Sequence, residues 1–352
     1  MKKKIIYTVI VFFLLIFTSG AFAGLSTTLV GPIIDSASYG GIPIPDLNTM
    51  LSSIISDQTK RFDSISGLLT DCFNIASSNQ MPIGEIKINN FTIGFTVTGT
   101  AAVDLGAVTS GNIGSFPIEG GGVSLGLFFG MSLGEKWDLL FAGVYVPKAI
   151  TKPLESIVAG ISFDMFSVGV RARYVFKKKN AKDDNDFMGI SISPGFAFAY
   201  SRISYSKLGV DYSADYSTGL IPPMPTGGTM HITGFDATGK IYIISVDLEI
   251  KFHFKVFYIL NLFLAAGGSL NFSYFRLDGM ANAYNHVNIA GTDYNPVGNI
   301  LISGKADGSK IIPRIMGGFE LNLWVRILLQ GMLAWSKGYT VYGATFSLRF
   351  SF

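Results

Sequence analysis

The chain has 352 residues, of which 49% are hydrophobic and 14% charged, well under the roughly 25% charge of soluble domains. Its 27 Lys and Arg stand against 24 Asp and Glu; without Lys2, Lys3 and Lys4 the balance is 24 to 24, which argues against a nucleic-acid binder. A single cysteine, Cys72, excludes an internal disulfide and a cysteine-based metal site.

Residues 1–23 have the make-up of a secretory signal. Lys2–Lys4 form a positive start, Ile5 to Phe17 an apolar middle, and Ala21-Phe22-Ala23 a small-x-small pattern that places cleavage before Gly24. Beyond them no segment offers about 18 consecutive apolar residues, so a transmembrane helix is not expected; Val256 to Ala266 is short and contains Asn261. High apolar content without a helical span leaves a transmembrane β-barrel, whose hydrophobic residues are spread over many strands.

Residues 24–45 are apolar, rich in Gly and Pro, and without a clear period. Asp46 then reads as a helix N-cap, followed by Leu47, Met50, Leu51, Ile54 and Ile55 on one helical face. Phe62, Ile65, Leu68, Leu69, Cys72, Phe73 and Ile75 continue that face, Gly67 is a break point, and the helix has to end before Pro82. Residues 24–86 are therefore expected to be a helical segment at the periplasmic mouth of a barrel, either a hairpin on its rim or a plug in its lumen.

From about Lys87 the period switches to two. Phe91, Ile93, Phe95 and Val97 alternate with Thr92, Gly94, Thr96 and Thr98, and Tyr242 to Phe254 alternates with Ser245, Asp247, Glu249, Lys251 and His253. Ten strands are expected, at about 88–104, 121–133, 138–146, 161–176, 187–203, 240–254, 258–275, 311–323, 326–336 and 339–352. Many are about twice the 5–6 residues typical of a sandwich strand. With the barrel termini on the periplasmic side, the short connections fall on that side and the stretches 204–239 and 276–310 fall outside as long segments, with room for two or four further strands, so the count ranges from 8 to 14. The fold class is all-β: an antiparallel transmembrane barrel over residues 87–352, preceded by a helical segment.

The last strand, Tyr339 to Phe352, puts Tyr342, Ala344, Phe346, Leu348, Phe350 and Phe352 on one face. An amphipathic final strand closing on Phe resembles the carboxy-terminal assembly signal of bacterial outer-membrane β-barrels. That resemblance implies the outer membrane as location, and lipid and the barrel assembly machinery as partners. The helical segment before a barrel is loosely similar to hydrophobic-compound transporters of the long-chain fatty acid type, but their amino-terminal motif is missing here.

Inward-facing charge is the strongest functional signal. Asp247, Glu249, Lys251 and His253 share one face of their strand, and Arg171, Arg173, Glu320, Arg326 and Arg349 point the same way on theirs. Such residues either fill a narrow interior as an ion network or line a selective path for a small or hydrophobic solute. A channel or transporter is the leading expectation, with a structural or surface-interaction barrel of filled lumen as the alternative. No enzyme is expected: His231, His286, Asp236 and Asp293 lie in the outer stretches without a recognisable catalytic motif, and no cofactor site is recognisable.

Overall fold

A computed structural model describes residues 24–42, 48, 66–81, 86, 90–103, 118–147, 161–176, 188–217, 227–257, 259–336 and 339–352. The expected signal segment, most of the anticipated helix before residue 66 and the connection 177–187 lie outside these residues.

Alternation decides the architecture. The strands are β1 (Gly24–Val30), β2 (Phe91–Val103), β3 (Ile118–Ser132), β4 (Trp137–Val146), β5 (Ile161–Val175), β6 (Met188–Ser217), β7 (Gly227–Phe257), β8 (Leu260–Ile289), β9 (Thr292–Tyr294), β10 (Val297–Asp307), β11 (Ile311–Asn322), β12 (Arg326–Ser336) and β13 (Tyr339–Ser351). β2 to β8 and then β11 to β13 pair antiparallel in sequence, and β13 pairs back to β2, closing a ring of ten. The seam ends on a reciprocal pair, Phe91 and Phe352 each donating a backbone N–H to the other's carbonyl, at 3.1 and 2.9 Å. Closure leaves no strand edge within the ring, the condition a sheet must meet to stand in hydrocarbon.

The two faces of the ring differ as the period requires. Phe95, Val123, Leu127, Phe141, Val168, Phe196, Leu248, Leu264, Ile315, Leu329, Phe346 and Phe350 are exposed on the outside. An apolar belt of that extent far exceeds the few hundred Å² a soluble monomer exposes, so its solvent is lipid. Aromatic residues mark both borders. Tyr145, Tyr274 and Trp335 are exposed at the outer end, and Trp137, Phe176 and Phe352 at the inner end.

The structure departs from the expected plan at the outer end. The described residues of the stretches 204–239 and 276–310 are largely strand. β6, β7 and β8 run on past the ring as strands of 30, 31 and 30 residues, and β10 and β1 extend the same sheet. Its outer part is ordered β6-β7-β8-β10-β1, with Ser303 of β10 paired to Asp278 of β8 and to Ser26 of β1. The parity of β8 carries through: Phe275, Ala281, Ala283, Val287 and Ile289 are buried while Arg276, Met280, Asn282 and Asn288 are exposed. β8 then turns tightly into β9 through Ala290 and Gly291 at φ 51° and 85°, the paired left-handed conformation of a two-residue hairpin loop.

Residues 24–42 do not sit at the periplasmic mouth, as the irregular sequence led us to expect. β1 pairs with the outer strand β10, and the turns that follow cover the inward face of the outer sheet. Ile33 fills the space over Gly298, where a Cβ would come within 2.3 Å of it. Tyr39 is fully buried; its hydroxyl donates to the Ile33 carbonyl at 2.7 Å and accepts from Asn285 at 3.0 Å. The chain thus begins its described course outside and reaches the inner rim only at Phe91.

Candidate functional site: the filled lumen

The path between those two ends runs through the ring. Residues 66–78 form a helix of about 20 Å at 1.5 Å per residue, and almost all of its side chains are buried. Its apolar stripe packs on one wall: Leu68, Cys72 and Ile75 meet Ala102, Ala265, Ile312, Met316, Met332, Ala334 and Val341. Phe73 points the other way, onto Ala199, Ile241, Ile243 and Phe275. Close approach to β3 depends on small residues. A Cβ at Gly122 would lie 2.7 Å from the Cys72 carbonyl carbon, and one at Gly126 would lie 3.1 Å from Gln80.

Polar contacts fix the helix at three depths. Near the outer end Asp71 accepts from the Ser309 backbone N–H at 2.6 Å, from the Ser309 hydroxyl at 2.7 Å and from the Ser336 hydroxyl. At mid-depth Thr100 donates to the Cys72 carbonyl at 2.9 Å, and Gln80 donates to Ser124 and to Ser167, the latter at 2.6 Å. The helix C-terminus meets two arginines. Arg171 donates to the Ser78 carbonyl at 3.0 Å and Arg314 to the Ser78 hydroxyl at 2.5 Å. Arg171 pairs the last carbonyl of the helix, those of Ile75, Ala76 and Ser77 accepting from Ser78, Asn79 and Gln80, and both cations oppose the negative end of the helix dipole.

Those arginines belong to an ion cluster. Arg171 is paired to Asp247 and, at 3.0 Å, to Glu249; Arg314 is 3.0 Å from Asp247 and 3.9 Å from Glu249. The cluster is two cations against two anions, all at most 5% exposed, so no member is left uncompensated in a site closed to bulk water. Nearer the inner rim are two further groups. Arg173 pairs with Asp138, its Nε 2.8 Å from the carboxylate. Glu320 pairs with Arg349, with Arg326 at 3.7 Å. Lys251 lies 3.8 Å from the centre of the Phe263 ring, a buried cation–π contact.

All nine lumen candidates named from the sequence point into the ring. The structure gathers Asp247, Glu249 and Arg171 in one cluster and Glu320, Arg326 and Arg349 in another, while Arg173 joins Asp138. The ring of His253 lies against Gly189. A cavity of about 20 Å³ separates Arg173, Lys251, His253 and Glu320, the room of a single water. Sequence reasoning missed Arg314, Asp138 and Asp71. Parity carried the signal for the first two: Arg314 is six residues before Glu320, and Asp138 lies opposite the lipid-facing Trp137. Nothing local distinguished Asp71 from a solvated helix charge. Of the assembly signal, Tyr342, Phe346, Leu348 and Phe350 lie on the lipid face of β13, and Phe352 is exposed just past its end.

The outer histidines form no catalytic arrangement among the described residues. His231 stacks on Tyr284 with centroids 4.5 Å apart, and His286 is 2.8 Å from Asn295 and 3.9 Å from Asp293, on exposed surface.

A closed ring of ten antiparallel strands, with a lipid-facing belt, two aromatic borders and an occluded polar interior, defines an outer-membrane β-barrel. Residues 38–352 match the model of the family described as Lsa36-like, and the chain belongs to that family. No curated protein matches it. Among solved structures it is similar to the translocator domain of the autotransporter NalP from Neisseria meningitidis, at 10% identity over 86% of this chain and 97% of that one, with a TM-score of 0.32. The outer membrane protease OmpT from Escherichia coli matches at 8% identity over 77% and 99%, with a TM-score of 0.38. The Ralstonia pickettii toluene transporter TbuX matches at 10% identity over 81% and 97%, with a TM-score of 0.22. The likeness is one of barrel architecture.

Proposed function

We propose that this barrel is a closed membrane anchor for an extracellular recognition sheet, and neither a channel nor an enzyme. One observation carries the reading. The lumen is occupied along its length by the helix and its ion clusters, while three barrel strands continue outward into an ordered five-stranded platform. An open pore keeps a continuous wet path between its charged groups. Here the central charges are paired with one another, and the cavity among the inner ones is the size of one water. One face of the platform buries apolar side chains under residues 31–42, and the other presents Tyr284, His231, Asn282, His286 and Asn288 to the medium. Tyr and Asn on a rigid scaffold make a contact surface for a macromolecule outside the cell.

Planar-bilayer recording of the purified full chain tests this. The closed barrel gives no steady conductance. A stable open level passing small ions or solutes in the unmodified chain would return the protein to the channel class.

A further inference from the structure

Where the barrel wall becomes the outer sheet, its lipid side carries two consecutive cross-strand rows. The lower row is aromatic. Tyr200, Tyr242 and Tyr274 are directly paired across β6, β7 and β8, with ring centroids 5.0 and 4.7 Å apart. Stacked tyrosines on the outside of a barrel, above the apolar belt, mark the level of the lipid headgroups. The next row up on the same face, about 7 Å further along the strands at two residues per step, is Arg202, Lys240, Arg276 and Lys305. These are again direct partners, Arg202 with Lys240, Lys240 with Arg276, and Arg276 with Lys305. At the spacing of neighbouring strands the four cations span about 15 Å.

Three acids stand near them. Asp164 continues the row on β5, Asp307 is one step below Lys305, and Asp278 is one step above Arg276. Asp278 lies 3.0 Å from the Arg276 Nε and 3.7 Å from the Lys240 Nζ, which holds both cations on this face. All three acids are half-buried, whereas Arg202, Arg276 and Lys305 are exposed. Within the row itself four cations stand against one acid, Asp164; Asp278 lies one step above it, Asp307 one step below, and the exposed Asp236 two steps above Lys240.

We propose that this row is a binding site for the anionic phosphate headgroup of an outer-leaflet lipid. A cationic row placed one step beyond the tyrosine border meets phosphate at the depth where a bilayer holds it. Guanidinium groups donate to phosphate oxygens bidentately and lysines act as point charges, so alternating Arg and Lys suits a headgroup with more than one phosphate oxygen to offer. The acyl chains of the same lipid would lie along Phe198, Ile244 and Phe272, below the tyrosines on the same face. The site also pins the depth of the barrel, and with it the height of the outer sheet above the membrane. It requires only the orientation of the ring and stands whether or not the platform binds a partner.

The experiment uses the full chain in non-ionic detergent, titrated with a fluorescent short-chain phosphatidic acid and with the matching phosphatidylcholine. At least a tenfold preference for phosphatidic acid is expected. The preference disappears in the fourfold variant R202Q/K240Q/R276Q/K305Q and falls severalfold in Arg276→Gln alone. Asp278→Asn, which removes a competing carboxylate, strengthens binding. The heat-dependent shift in electrophoretic mobility of folded barrels checks that each variant has assembled; if the fourfold variant does not assemble, the two single variants decide. Equal binding of both lipids, or unchanged preference in the assembled variants, overturns the proposal. So does displacement of the lipid by stoichiometric inorganic phosphate or a sulfated oligosaccharide, which would assign the row to a soluble anion.

Discussion

Asp71→Ala removes the outer fastening of the lumen helix and should release the helix without unfolding the ring. Asp71 accepts hydrogen bonds from the Ser309 N–H, the Ser309 hydroxyl and the Ser336 hydroxyl. Hydrogen bonds to a charged group each contribute about 1.5–3 kcal/mol, but bonds sharing one acceptor do not add. The two serine hydroxyls also keep each other, at 2.6 Å, after the carboxylate is gone. A loss of about 3 kcal/mol follows, or about 150-fold in the docked-to-released equilibrium at 1.36 kcal/mol per tenfold. The chain carries its own reporter. Cys72 is its one cysteine, it lies on this helix, and it is fully buried. When opening and closing are fast, maleimide labelling proceeds in proportion to the released fraction, so the rate in Asp71→Ala should rise about 150-fold over the parent. Each rate is divided by that of the same variant in denaturant, because losing the adjacent carboxylate alters the thiol's own reactivity. A normalised rate within twofold of the parent would refute the reasoning, since it would mean that this carboxylate does not hold the helix. A large rise together with loss of the heat-dependent mobility shift would instead mean that helix and ring unfold as one unit.

Two further perturbations address the same architecture from other directions. Gly122→Val places carbon against the backbone of the helix, where even a Cβ would lie 2.7 Å from the Cys72 carbonyl carbon and no side chain can give way; a cost of at least about 1–3 kcal/mol is expected, read as Cys72 labelling at least fivefold faster with the ring intact, and unaltered labelling would mean that helix and β3 are further apart. An epitope placed immediately before Gly24, behind the signal segment, should be reached by antibody on intact cells because β1 pairs with the outer strand β10. An epitope detected only after the membrane is permeabilised would reverse the direction in which residues 24–81 cross the ring.

The strands of the ring were legible because lipid outside and polar groups inside leave a two-residue period along every one of them. That period located all ten, and it put Arg171, Asp247, Glu249 and Glu320 on one side of the wall. It could not say which of those charges meet, because pairing across the lumen depends on how far the ring is closed and on what occupies it. The same limit hid Arg314 and Asp138, whose parity was readable but whose partners lie on other strands. The helical period over residues 68–75 likewise announced a helix with an apolar stripe, yet a rim hairpin and a plug need the same stripe.

The outer sheet shows the opposite case. Residues 204–239 and 276–310, rich in Tyr, Gly, Asn and Asp, read as long outer segments because small and polar residues such as Ala281, Ala283 and Asn285 stand on the buried face too, so the alternation in burial along β8 is faint in composition. Only pairing with distant strands, β10 and β1 among them, makes them a sheet. What the amino-acid sequence determined by itself is the solvent of each strand face, since burial in hydrocarbon is decided residue by residue. What tertiary structure alone decided is that the ring is filled and that residues 24–42 lie at its outer end. Those facts rest on contacts between segments more than two hundred residues apart, Asp71 with Ser309 and Ser26 with Ser303, which no local pattern encodes.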